Sequence, residues 1–199
     1  MRISIILVFG LMFAQPIQAQ DVQQAFSQSY AAELRGDYHT AIASIQATKD
    51  NGYHSRLRLA YLFYTTGMQA EAMQQYEQAS KLRPFAIEPK LGYAKAAAAL
   101  NNWAQVQAQY EAILKIDPNQ TYISYQLGMI HYNKAEYAKA LRLFERVVNL
   151  YPADYDGLIM YAWTHYRMGK LKEAKVLFQT ALLSRPGDNS ALEGLSLIK

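Results

Sequence analysis

The chain has 199 residues, 20 of them lysine or arginine and 16 aspartate or glutamate, and no cysteine. That composition excludes disulfides, a thiol nucleophile and a lipid-modified cysteine. A net charge of +4, with basic residues interleaved among acidic ones as in Arg142-Leu143-Phe144-Glu145-Arg146, reads as solvated helix faces and argues against a nucleic-acid partner.

The first element is a leader. Arg2 precedes an apolar run from Ile5 to Ala14, followed by Pro16 and the small residue Ala19. A charged start, a short apolar stretch and a small-residue site predict export with cleavage after Ala19. The run is too short for a permanent bilayer anchor, so no integral membrane segment is expected once residues 1–19 are removed. The expected location is the periplasm if the cell is Gram-negative, and the exterior otherwise. An exported domain of this length can do without disulfides because its core is large enough.

Next comes a short unit over residues 20–52. Gly36, Tyr38 and Ala41 provide a turn and the start of a second helix, and Asp50-Asn51-Gly52 closes it with turn chemistry. Four units of one length follow, 53–86, 87–120, 121–154 and 155–188, marked by Pro84, Pro118, Pro152 and Pro186 at a constant spacing of 34. Other positions keep the same register. Small residues recur at Ala60, Ala94, Gly128 and Ala162, and small or β-branched ones at Ala72, Val106, Ala140 and Ala174. Aromatic rings stand at Tyr76, Tyr110, Phe144 and Phe178, with Ala79, Ile113, Val147 and Ala181 three residues on.

This pattern predicts two antiparallel helices per unit. Small residues on both helices let the backbones approach, and the ring and the residue three later share one face. Gly67, Asn101, Ala135 and Gly169 fall at the turn, where Ala135 is the weakest turn former of the four. Each proline stops the second helix. Residues 189–199 form a terminal helix, with Ser190 and Glu193 as a capping box and Leu192, Leu195 and Ile198 as the apolar stripe that covers the last unit.

The repeat resembles the tetratricopeptide repeat. Leu127, Gly128, Tyr137, Ala140, Phe144 and Pro152 match that family's motif, as do Gly169, Ala174, Phe178, Ala181 and Pro186. Gly67, Ala72, Tyr76, Ala79 and Pro84 match as well. The unit ending at Pro118 departs with Val106 and Ile113, and Arg56, Lys90, Ser124 and Leu158 stand where the family has an early tryptophan. The resemblance implies an all-α fold, a right-handed solenoid of about five helix pairs with a C-terminal cap. It also implies that the first helices line a concave side and that the activity is protein binding.

Catalytic chemistry has no sequence signature here. His131 and His165 are 34 residues apart, hence at equivalent places on successive first helices. Equivalent atoms of packed helices lie roughly 8–10 Å apart, whereas zinc needs each nitrogen at about 2.0–2.1 Å. These histidines are therefore expected to pack between helices. No nucleophile elbow, phosphate loop, zinc-protease motif or dinucleotide fingerprint occurs. No enzyme activity, cofactor or metal is expected.

The informative face lies on the first helices. Tyr122, Tyr125, Met129 and Tyr132 share one side of their helix. The same face carries Asp156, Ile159, Trp163 and Tyr166 in the next unit, His54, Leu57, Tyr61 and Tyr64 in an earlier one, and Glu88, Leu91, Lys95 and Ala98 between them. Gln23, Phe26 and Tyr30 continue it. The expected partner-binding residues are Tyr61, Tyr64, Tyr122, Tyr125, Met129, Tyr132, Trp163 and Tyr166, because such rings anchor partners at low rotamer cost. The carboxylate clamp known from chaperone-binding members of the family is not matched, since Leu57, Tyr61, Leu91, Gly92 and Lys95 replace its polar set. The expected partner is a protein or peptide segment held by a scaffold of the cell envelope. A glycan, in an accessory role in polysaccharide export, is the alternative.

Overall fold

The structure, a computed structural model, describes residues 17–198, with side chains from residue 21 on. The expected leader lies outside the described residues except for positions 17–19, which begin the first helix. The helices pair in chain order: α1 (Ile17–Leu34) with α2 (Tyr38–Ala47), α3 (Tyr53–Thr65) with α4 (Gln69–Leu82), α5 (Glu88–Ala99) with α6 (Trp103–Ile116), α7 (Thr121–Asn133) with α8 (Tyr137–Leu150), and α9 (Tyr155–Arg167) with α10 (Leu171–Ser184). A single helix, α11 (Asn189–Leu197), closes the chain. Each second helix also packs on the first helix of the next pair, so the chain is an all-α solenoid with a core strung along its length.

The repeated small residues sit where the helices touch. Ala60, Ala72, Ala94, Ala140, Ala162 and Ala174 are fully buried, and the rings of Tyr76, Tyr110, Phe144 and Phe178 are at most 8% exposed. These rings demand close backbone approach. A Cβ placed on Gly128 would fall 2.7 Å from Phe144, one on Gly92 2.3 Å from Tyr76, and one on Gly194 2.3 Å from Phe178. Arginines preceding two of the prolines fold back over the start of their own unit: the Arg83 guanidinium lies 4.4 Å from the Tyr53 ring centroid and that of Arg185 3.7 Å from Tyr155. Stacking of this kind ties these two loops to the first helix of their own unit.

The turns are left-handed as their residue types require. Gly36, Gly67 and Gly169 have φ of 75°, 80° and 74°, and Asn101 has 56°. Ala135 adopts the same conformation at φ 57°, where its Cβ crowds the following carbonyl. In that place alanine costs about 1–2 kcal/mol, of which glycine's larger chain entropy returns about 0.4–1 kcal/mol. Ala135→Gly is therefore expected to raise the melting temperature, by about 1–4 °C for a domain of this size. A melting temperature lowered by the change would contradict the strained turn.

α11 differs from its expected form. Its N-cap is Asp188, whose carboxylate accepts from Ala191 N at 3.0 Å, while the Ser190 hydroxyl accepts from Trp163 Nε1 at 2.8 Å. The buried residues are Ala191 and Gly194, with Leu195 and Ile198 packed beside them, and Leu192 is 48% exposed. The cause is register: Gly194 lies three repeats beyond Gly92 and meets Phe178 as Gly92 meets Tyr76. α11 thus occupies the place of the first helix of a further unit. Gly194→Ala should destabilise by about 1–3 kcal/mol through overpacking, whereas Leu192→Asp should change stability by no more than about 0.5 kcal/mol. Thermal unfolding of both variants checks this, and a larger loss from Leu192→Asp would refute the packing.

Candidate functional site

The first helices of the N-terminal half enclose a cavity of about 500 Å³. α1 contributes Phe26, Tyr30 and Glu33; α3 contributes His54, Leu57, Arg58, Tyr61 and Tyr64; α5 contributes Glu88, Leu91, Gly92 and Lys95; and Tyr76 of α4 reaches in beneath α5. The lining follows from helical spacing, since His54, Leu57, Arg58, Tyr61 and Tyr64 recur every three or four residues of α3. Gly92 lets α5 ride over the Tyr76 ring, and burial pushes the Tyr76 hydroxyl up to about 12, so it remains a hydrogen-bond donor.

Arg58 organises the wall between α1 and α3. It is 6% exposed and donates from Nε to Ser29 Oγ at 3.0 Å, with Nη1 2.6 Å from Glu33 Oε2. Its carbon Cζ lies 3.9 Å from the Tyr30 ring centroid and 5.8 Å from that of Tyr61. The interaction of Tyr61 with the Glu33 carboxylate raises the tyrosine's pKa. Sequence reading took the basic residues for solvated helix faces and missed this one. The available signal was its place one turn from His54 and Tyr61 on the concave face, opposite Ser29, Tyr30 and Glu33 of the preceding first helix.

A second concavity of about 410 Å³ lies further along, lined by Thr121, Tyr122, Tyr125, Gln126, Val147, Tyr151, Asp154 and Asp156. Asp154 is engaged as the N-cap of α9, accepting from Gly157 N at 2.7 Å.

The eight expected partner-binding residues are divided between these places. Tyr61 and Tyr64 line the first cavity, Tyr122 and Tyr125 the second, and Met129, Tyr132, Trp163 and Tyr166 line neither. Tyr61 and Tyr122 are exposed and the other six half-buried. Several are used in packing. Tyr125 meets Phe144 edge-on at 5.8 Å, Tyr132 meets Tyr137 at 5.4 Å, and Trp163 packs on Phe178 at 5.0 Å and Tyr166 at 5.6 Å while donating to Ser190. Long rings in α7 and α9 reach their neighbours and fill the space that the smaller residues of α5 leave open.

The two equivalent histidines are buried. His131 Nδ1 bonds to Glu136, which also accepts from Lys139 Nζ at 3.0 Å; the Lys139 and His131 bonds hold this carboxylate's pKa down. His165 packs edge-on against Tyr161 at 4.6 Å, and its Nδ1 is buried without a partner. Burial, aided by Lys170, lowers the His165 pKa. The folded state therefore favours neutral imidazole. Its stabilising contribution is complete above the ordinary value of about 6.5 and is lost as pH falls through the lower folded value. Acidification from pH 7.5 to 5 should lower the melting temperature, and His165→Phe should reduce that dependence. An unchanged pH profile in the variant would refute the assignment.

Three family models, each described as a tetratricopeptide repeat, match residues 53–85, 91–155 and 134–196. No curated protein matches the chain in sequence. Solved structures share its fold. A tetratricopeptide repeat protein from Parabacteroides merdae superposes with a TM-score of 0.72 at 19% identity, over 90% of this chain and 72% of that one. The MamA protein gives 0.70 at 15%, covering 83% and 92%. YrrB, described as a TPR protein with an unusual peptide-binding site, gives 0.69 at 14%, covering 91% and 98%. At these identities the likeness is one of fold.

Proposed function

The chain belongs to the tetratricopeptide repeat family, and we propose that it is a non-catalytic scaffold of the cell envelope that holds a segment of a partner protein in the concave cavity of α1, α3 and α5. The observation that carries this reading is the cavity itself: about 500 Å³, walled by Phe26, Tyr30, Leu57, Tyr61, Tyr64 and Leu91. Rings with polar tips on rigid helices are suited to anchoring a peptide side chain while satisfying its backbone. The titratable groups favour binding over catalysis. Arg58 is paired with Glu33, and the cavity lining contains no serine, threonine or cysteine, and no lysine but Lys95, that would mark a nucleophile beside a base. The peptide-binding site named for YrrB is a property of that protein and gives the reading precedent on the same fold.

Export rests on the leader-like residues 1–19. No described helix is long and apolar enough to cross a membrane.

The test combines location and capture. The full chain, tagged at its C terminus and expressed in a Gram-negative host, is expected in the periplasmic fraction with Gln20 as its first residue. Used as bait on envelope extract, it should retain a protein that Tyr61→Ala releases with an affinity loss of about tenfold or more. Capture unaffected by Tyr61→Ala would overturn the cavity's role, and retention in the cytoplasm would overturn the envelope assignment. A tryptophan fluorescence change on adding envelope oligosaccharide, without protein capture, would favour a glycan instead.

A further inference from the structure

Arg58 is only partly satisfied. Nε and Nη1 are engaged by Ser29 and Glu33, but Nη2 is buried with no acceptor. Buried donors are almost always paired, so an orphan on a cavity wall is a place for an oxygen supplied from outside. Resting on the reading of this cavity as a peptide seat, we propose that Arg58 Nη2 is the donor that fixes an uncharged oxygen of the bound segment, a backbone carbonyl, and not a carboxylate.

Charge decides between the two acceptors. Glu33 already neutralises the guanidinium, and the other acidic and basic residues lining the cavity, Glu88 and Lys95, balance each other. A carboxylate entering this site brings an uncompensated charge toward two glutamates, and desolvating it is costly. A carbonyl requires a donor and no countercharge. The geometry agrees. The Tyr30 ring stacks on the guanidinium at 3.9 Å and Tyr61 lies 5.8 Å away, which leaves the Nη2 edge as the donor without a partner. Tyr30 covers the guanidinium and is itself 52% exposed, so moving it aside for the acceptor gives up little buried area. An extended segment turns successive carbonyls to opposite sides. One carbonyl can thus face Arg58 while neighbouring side chains reach Tyr64 and Leu91.

Dodecapeptides are selected on the chain beginning at Gln20 from a random library displayed with free carboxyl termini. The tightest binder is then made as the free acid, as the terminal amide, with each Asp or Glu changed to its amide, and as a series in which each backbone amide is replaced by an ester, a weaker acceptor. The acid and amide forms are expected to bind within about threefold of each other, and one ester position to lose about tenfold, the worth of a hydrogen bond from a charged donor. That ester penalty should vanish in Arg58→Lys, which keeps a cation for Glu33 but has no second donor arm. A tenfold loss on removing a carboxylate, a flat ester series, or the same ester penalty in Arg58→Lys each overturns the assignment. The ester series uses the unaltered protein and decides the matter even if the lysine variant fails to fold. Selection of no peptide, or peptides indifferent to Tyr61→Ala, removes the peptide-seat reading itself and this assignment with it.

Discussion

An aromatic ring pressed against the backbone of a neighbouring first helix sets the pitch of this molecule. Tyr76 lies against Gly92, Phe144 against Gly128 and Phe178 against Gly194, each so closely that a single added carbon would collide with the ring. Dispersion falls off steeply with separation, so a ring in full contact on both faces holds its neighbours at one distance. Tyr76–Gly92 and Phe178–Gly194 join one unit to the next, and Phe144–Gly128 joins the two helices of one pair. The solenoid therefore has a defined spacing between successive first helices, and that spacing fixes which concave side chains can meet.

The same constraint explains why the cavity opens where it does. Where a first helix carries long rings on this side, as α7 and α9 do, those rings pack on the second helix of their own pair. α5 carries Leu91, Gly92 and Lys95 with a run of alanines behind them, too little bulk to fill the same space. On the other flank the first unit is three residues shorter than the rest, and Ile45 stands where later units have their ring. Arg58 occupies the place that Gly92, Gln126, Met160 and Gly194 hold in the other units, and the ring position before it is Ile45. The cavity is thus the product of an irregular first unit meeting an under-filled third one.

The fold was legible because its determinants are periodic. The turn at Gly67 or Gly169, the buried alanines and the rings announce themselves by recurring every 34 residues, and each recurrence has one physical meaning. What escaped was whatever depends on a single unit. In α11 the stripe holds for Leu195 and Ile198 and fails at Leu192, because position relative to the Phe178 ring, not size, decides that Ala191 and Gly194 face inward. Concave placement was legible for Tyr61 and Tyr64. The packing of Trp163 was not, since its partner Ser190 belongs to a helix whose cap had been assigned to the wrong residue. Arg58 escaped because arginine on a helix is ordinarily solvated, and only the facing helix reveals that Ser29, Tyr30 and Glu33 enclose it.

A buried ion pair is a poor way to hold two helices together. Removing the Arg58 guanidinium from water costs several kcal/mol, and its partly exposed partner Glu33 offsets that cost fully only when the remaining donors are also satisfied. Apolar residues of similar volume would join α1 to α3 at least as well, as they join the other pairs in this chain. Here Nε and Nη1 each have an acceptor and Nη2 has none. The incomplete arm belongs to a residue of the cavity wall, not to the packed core. Stability alone does not account for an expensive charge with one donor unpaired in the wall of a cleft, whereas recognition of an oxygen from a partner does.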